Sequence, residues 1–309
     1  MHTLSFPVAV LAFSSLAFAN TVVAQAVAGA APAAESATAI GATTSSAFEN
    51  VEFFVGLDGS KQPQDLGINA NMGLRLSANA GFPLSRRAGL GLQVGAAVNF
   101  SDAAVHVLDQ IDGTSRRTQQ YLTLGLFQQG VSKLSWALSY DFLHEHYYDD
   151  FSLGQVRGQA GYNVTRIDEL GGFVTTAVSR DHGMIGETAV TLDPITQVAG
   201  YFRRTWPTSA RTSAWVGIAA HHHNVVLVFP DNTRDKNVVV YGAQLEMPLS
   251  NRLSVTGSSN FITPTATGTV DAYLGITYYP GRKTMGARGR FSPVLPVGNN
   301  PEFPVDLSR

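Results

Sequence analysis

Between Ile68 and Leu84 the chain reads I-N-A-N-M-G-L-R-L-S-A-N-A-G-F-P-L, and every even-numbered residue is apolar. Every odd position is polar, Gly or Pro. After Ser85–Gly89 the alternation resumes through Leu90, Leu92, Val94, Ala96, Val98 and Phe100. Successive side chains of a strand point to opposite faces, so this is a long hairpin with one continuous apolar face. Ordinary strands centre on about 5–6 residues. This run is long enough for a tilted strand crossing a bilayer, which takes about 9–11. The even positions are expected to face lipid, and Asn69, Asn71, Arg75, Asn79, Gln93 and Asn99 to face a lumen.

Composition agrees with a membrane barrel. The 309 residues carry a net charge of -2 and are only 14% charged, against about 25% in soluble domains. Hydrophobic content is 44%, and no apolar run after the N-terminal region approaches the roughly 18 residues of a spanning helix. Low charge with abundant Gly, Ser, Thr and Asn suits a wall with lipid outside and a polar interior. The charge balance gives no sign of nucleic-acid binding. Cysteine is absent, which excludes disulfides and thiolate metal sites.

The organisation reads in four parts. Residues 1–24 resemble an export signal, with an apolar stretch Leu4–Ala19 and cleavage after Ala19 or Ala24, although the basic n-region of such signals is missing. Residues 25–48 are an Ala-, Ser- and Thr-rich spacer. Residues 49–281 form the expected barrel, and 282–309 a tail on its periplasmic side.

About twelve alternating segments are expected in the barrel: Val51–Leu57, the two arms of the opening hairpin, Gln120–Phe127, Leu134–His144, Gly154–Val164, Leu170–Ser179, Ile195–Arg204, Thr212–Ala220, Val238–Leu249, Leu253–Phe261 and Val270–Tyr279. The connections alternate in length. Ser85–Gly89, Gln128–Lys133, Thr165–Glu169, Thr205–Arg211 and Ser250–Arg252 are short. Asp58–Gly67, Ser101–Gln119, Glu145–Leu153, Arg180–Pro194 and His221–Asn237 are longer. Short turns on one side and long loops on the other are the up-and-down arrangement of outer-membrane barrels, with the short turns in the periplasm. Pro83, Pro248 and Pro280 sit at segment ends, where a missing N–H is harmless. Aromatic belts are expected at Phe82, Trp136, Trp206, Tyr278 and Tyr279 on one side, and at Phe100, Phe142 and Phe261 on the other. A soluble sandwich or lipocalin-like barrel would also alternate, but its wet face would carry many Lys and Glu.

Region 50–280 thus resembles bacterial outer-membrane β-barrels. Many of these end on an aromatic residue read by the insertion machinery. This chain ends Leu307-Ser308-Arg309, and a partial match lies inside it at Tyr273–Pro280. The stretch from Met285 to Asn300, M-G-A-R-G-R-F-S-P-V-L-P-V-G-N-N, resembles the closing segment of an uncharacterised family of planctomycete secreted or outer-membrane proteins. That resemblance implies no known activity and no functional residues.

The candidate chemistry is sparse. Lumen parity falls to Asn71, Arg75, Asn79, Gln93, Asn99, Asp141, Gln155, Arg157, Gln159, Arg203, Gln244, Glu246 and Asp271, with the arginines either setting pore selectivity or bracing the interior as salt-bridged struts. Histidines gather at the long loops. His144, His146, His221, His222 and His223 are weak metal candidates without a ligand motif, and a solvated, hydrogen-bonding rim is the better account of them. His144 and Ser152 share outward parity at the extracellular edge. A Ser–His pair beside lipid resembles outer-membrane phospholipase chemistry, but no orienting third group is apparent, and ordinary loop residues explain both.

The resulting expectation is an all-β outer-membrane barrel of a Gram-negative-type envelope, without cofactor or metal. It would be non-enzymatic, a narrow porin-like channel for small polar solutes or an envelope structural protein. The alternatives are a surface receptor or adhesin using its long loops, and a lipid hydrolase. Outer-membrane lipid and the barrel-assembly machinery are the expected partners.

Overall fold

The computed structural model describes residues 49–65, 70–104, 116–223, 234–263, 269–281 and 289–308. The expected leader and spacer over 1–48, the hairpin's first residues Ile68 and Asn69, and the side chains of His221 and His222 lie outside the described residues.

Fifteen strands follow in chain order among the described residues. They are β1 (Val51–Lys61), β2 (Asn71–Ser85), β3 (Leu90–Ala103), β4 (Arg117–Gln128), β5 (Leu134–His146), β6 (Asp150–Asn163), β7 (Asp168–Ser179) and β8 (Asp181–Ile185). Then come β9 (Thr188–Pro194), β10 (Gln197–Thr205), β11 (Arg211–His223), β12 (Arg234–Pro248), β13 (Leu253–Thr263), β14 (Thr269–Tyr278) and β15 (Val305–Ser308). Twelve of these, all but β8, β9 and β15, form a closed antiparallel barrel. Closure runs from Phe53 opposite Tyr278 to Lys61 opposite Val270, between β1 and β14. A closed sheet leaves no unpaired edge, the condition for placing strands in hydrocarbon.

The period-two pattern sets the two faces. On β4, Leu122, Leu124 and Leu126 are exposed while Tyr121, Thr123 and Phe127 are buried. On β2, Leu74 and Leu76 are exposed while Asn71, Arg75 and Asn79 are buried. The outer wall is therefore apolar and the interior polar, the inverse of a soluble core. Phe82, Trp206 and Tyr278 are exposed at the short-turn end and Phe100 at the other. Tyr279 departs from the expected belt: it has inward parity, is buried, and its hydroxyl donates to Glu246 Oε1 at 2.9 Å. The β2–β3 and β4–β5 turns each use a left-handed glycine, Gly89 (φ 64°) and Gly130 (φ 75°), a conformation that costs a residue with Cβ.

Three expectations at the long-loop end are corrected. β5 and β6 run on to His146 and Asp150, leaving only a three-residue turn where a loop over Glu145–Leu153 was expected. The extension is held by apolar packing, because Leu143, Phe151 and Leu153 enter an inner cluster with Ile185, Val190 and Leu192. The segment Arg180–Pro194 is not an open loop, since it carries the β8–β9 hairpin. Finally, the tail does not stay at the short-turn end. Its backbone begins there, with Gly289 and Ser292 carbonyls accepting from Gln129 Nε2. It then climbs the interior, and β15 pairs with β9, Val305 opposite Pro194 and Ser308 opposite Thr191.

An Arg placed at the bilayer midplane of an outward face costs about 2–4 kcal/mol. Leu76→Arg, outward and midway along β2, should lower the stability of the barrel refolded in vesicles by that amount. Ser77→Arg, one residue away on the inner face, should cost far less. Urea unfolding followed by tryptophan fluorescence reads the difference.

Candidate functional site

The interior is built around the 289–308 segment. It contains Pro293, Pro296, Pro301 and Pro304. Proline has no N–H and a fixed φ, so the segment enters the lumen extended, with fewer donors to satisfy and less entropy to lose. The wall supplies partners for what remains. Gln93 holds both sides of Leu295, its Oε1 accepting from Leu295 N at 3.2 Å and its Nε2 donating to Leu295 O at 2.6 Å. Asn79 Nδ2 donates to the same carbonyl at 3.1 Å, and Gly298 N donates to Thr123 Oγ1 at 2.9 Å. Asn300 Oδ1 accepts from Gln119 Nε2 and Tyr121 Oη, each at 2.9 Å. Its amide in turn donates to Asp58 Oδ1.

Arg157 is the ionic hinge of this arrangement. It is buried and bridges the wall to the tail, with Nε 3.0 Å from Asp141 Oδ2 and Nη1 3.0 Å from Glu302 Oε2. Its Nη2 donates to the Pro296 carbonyl at 2.7 Å. Removing one partner of such a buried pair costs about 3–5 kcal/mol. At the far end Asp306 accepts from His223 through both its backbone N–H (2.8 Å) and Nδ1 (2.6 Å).

Two inner-wall glycines make room. A Cβ at Gly95 would lie 2.6 Å from Val297 Cγ2, and one at Gly81 would collide with the Phe291 carbonyl. β15 and β9 then lie with Phe303, Val305 and Leu307 in the apolar cluster that includes Phe151 and Leu192. On the other side of the tail a cavity of about 110 Å³ remains, touched by Arg75, Tyr201, Arg203, Trp215, Gln244 and Glu246. A second buried apolar cluster, Ile195, Ala199, Ala219, Val238, Val240 and Ile262, occupies the inner face near the long loops of β10–β13.

The expected lumen residues therefore fall into groups. Asn79, Gln93, Gln155, Arg157 and Arg75 bond to the tail, while Asp141 pairs with Arg157. Arg203 pairs with Glu169 at 2.9 Å, and Gln159 and Gln244 touch the cavity. Asn71, Asn99 and Asp271 are buried nearer the loops. Glu246 accepts from Tyr279. Among the described residues no group of three or more His, Asp or Glu is placed to hold a metal. His223 is tied to Asp306, and His146 Nδ1 lies 2.8 Å from Asp150 Oδ1. His144 Nδ1 and Ser152 Oγ are 3.2 Å apart on the outer wall.

The chain belongs to a family of unknown function, DUF6666. The family's sequence profile matches residues 50–305. No curated protein matches the chain. Solved structures similar to it include the KdgM porin (TM-score 0.41, 10% identity, 73% of this chain and 98% of that one). The translocator domain of the autotransporter NalP from Neisseria meningitidis scores 0.45 at 11% identity, over 74% of this chain and 87% of that one. LpxR from Salmonella typhimurium scores 0.45 at 9% identity, over 73% and 99%.

The sequence reading missed the mouth of this DUF6666 chain. Arg117 is buried against Glu145, with Nη2 2.6 Å from Oε2, and also donates to Ser60 Oγ (3.1 Å) and Gln62 Oε1 (3.0 Å). Its place inside an expected loop hid it, though inward parity continues from Gln119 to Arg117. Asp65, in the short 3-10 turn after β1, accepts from Gln62 N at 2.8 Å. Burial pushes its carboxyl up to about 6, against the attraction of Arg117.

A raised carboxyl pKa favours the fold most while the group is protonated. This contribution is complete below the ordinary value near 4 and lost as pH rises through about 6. The difference in urea midpoint between wild type and Asp65→Asn should thus be small at pH 4 and larger at pH 7.5, with the variant the more stable at the higher pH.

Proposed function

We propose that this chain is an outer-membrane channel for small polar solutes, held shut by its own 289–308 segment. One observation carries the reading: a single stretch of chain passes from the short-turn end to the long-loop end inside a closed barrel, bonded to the inner wall throughout. The apolar outer face supports membrane insertion, and the short turns would face the periplasm. The amides and guanidiniums that hold the segment are the groups that would line a wet passage without it. Twelve strands leave a bore between the filled eight-stranded barrels and the open sixteen-stranded ones, wide enough to pass solutes only when empty.

The closure is cumulative. A single neutral hydrogen bond is worth about 0.5–1.5 kcal/mol net, and the tail makes many. Proline reduces the entropy lost on ordering. Opening would require an agent that binds the withdrawn state better than the plugged one, since only differential affinity moves such an equilibrium.

Planar-bilayer recording tests the reading. The full-length barrel should be silent at moderate voltage, whereas a variant lacking residues 284–308 should give reproducible single-channel steps. Gly95→Leu, which pushes Val297 off the wall with the chain intact, should give intermittent steps. Steps of equal size and frequency in all three would contradict the proposal, as would silence in two variants shown by heat-modifiable mobility to be folded.

A further inference from the structure

The outer wall carries a second constellation, independent of whether the lumen is open. Gln120 lies opposite His144 across the β4–β5 ladder, and His144 opposite Ser152 across β5–β6. The three therefore share one outward row at the long-loop edge. His144 Nδ1 and Ser152 Oγ are 3.2 Å apart, so a neutral imidazole with its proton on Nε2 accepts from the hydroxyl. On the other side of the ring, His144 Nε2 is 4.0 Å from Asp150 Oδ1. Asp150, the first residue of β6, is thus the third group that the sequence did not reveal. Its Oδ1 is also shared with His146. Ser152 is fixed from behind, its backbone N–H donating to Asp181 Oδ2 at 2.7 Å. A nucleophile, a base and a carboxylate within 4.0 Å of the base are the parts of a serine acyl-transfer site, whose hydrogen bonds are often long in the absence of substrate.

The surroundings say what would be acylated. A groove of about 930 Å³ runs along the outer wall, touched by His144 and Gln120 at one end and by Leu253 and Tyr278 at the other. It follows the outward rows that the ladder register defines. One row passes Phe53, Ala78, Ala96 and Leu122 to Phe142, and the next passes Val55, Leu76 and Val98 to Gln120 and His144. Ala78 and Ala96 form the floor, because alanines among Leu, Val and Phe leave a trough. An apolar trough on a lipid-facing wall that ends at His144, with Ser152 beside it on the next strand, matches an acyl chain whose ester reaches past the imidazole at the headgroup level.

We propose that His144, Ser152 and Asp150 form a lipid-facing esterase site that hydrolyses an acyl ester of a membrane lipid lying in this groove. Ser152 Oγ forms a bond to the ester carbonyl carbon while its proton passes to His144 Nδ1. The carbon–oxygen bond to the lipid alcohol breaks, and the alcohol leaves with that proton. Water then attacks the acyl-serine and gives a proton to His144. The acyl–Oγ bond breaks, and that proton returns to Ser152 as the fatty acid departs. Asp150 is a positioning residue.

Two measurements on the full-length refolded barrel decide the matter. In the first, a hexadecyl fluorophosphonate is added and adducts are located by mass spectrometry. Ser152 should be labelled, with labelling abolished in Ser152→Ala and at least 100-fold slower in His144→Ala. Ala96→Trp, which fills the trough, should slow it at least tenfold. In the second, fatty-acid release from vesicles of phosphatidylethanolamine and phosphatidylglycerol should fall at least 100-fold in Ser152→Ala. Asp150→Asn should slow labelling of Ser152 at least tenfold and Asp150→Glu should restore it, a rescue by the conservative variant that a merely structural role would not show. No label on Ser152, or release unchanged by Ser152→Ala, would overturn the proposal. A positive result with a silent channel, or the reverse, separates this site from the lumen reading.

Discussion

The structure depends on one constraint: polar groups turned inward from a lipid-facing wall must find partners. Strand parity forces Asn79, Gln93, Thr123, Arg157 and their neighbours into the interior, because the alternate positions are committed to the apolar outside. A buried amide or guanidinium left unsatisfied costs about as much as a lost hydrogen bond or more. Here those groups bond largely to the 289–308 segment. Leu295 alone accepts from Asn79 and Gln93, and Glu302 meets Arg157. The wall and the tail are complementary halves of one hydrogen-bonded interior.

Other features follow from that pairing. Gly81 and Gly95 have no side chain where Phe291 and Val297 press against the wall. The prolines of the tail remove donors that the wall would otherwise have to match. At the long-loop end the tail changes character and becomes a strand, with Val305 and Leu307 buried against the β8–β9 hairpin. The segment is thus anchored by apolar packing at one end and by polar side chains along its path. The outer wall is built from the same ladders but is chemically separate. His144 and Ser152 face out while Glu145 and Phe151, their sequence neighbours, face in.

The barrel was legible because period-two alternation is local: Ile68 to Phe100 reveals its two faces without knowledge of any partner. Lumen parity followed from the same count. What could not be read was contact between segments distant in sequence. Asn300 and Asp58 meet across the whole chain, and nothing local in N-N-P-E-F-P announces that it lies inside a barrel. The clue was compositional. Residues 291–308 are too apolar, and too regularly spaced by proline, for an idle solvated tail. The β5–β6 connection reads as a long loop because Glu145–Leu153 is rich in His, Asp and Tyr, whereas the ladder carries Glu145, His146 and Asp150–Leu153 as strand and leaves only residues 147–149 to the turn. The same misjudgment hid Asp150 as the partner of His144, since the hairpin, not the spacing, brings it back beside the imidazole.

The absence of cysteine makes the central claim directly measurable. A Cβ at Gly298 would lie 3.6 Å from Thr123 Oγ1, the position that a cysteine sulfur would take at residue 123, so two cysteines here are close enough to be joined with a small adjustment of their side chains. In the folded Thr123→Cys, Gly298→Cys double variant, mild oxidation should join β4 to the tail quantitatively, and both thiols should become inert to maleimide. If instead both thiols alkylate freely in the folded barrel and no link forms, the tail does not occupy the lumen.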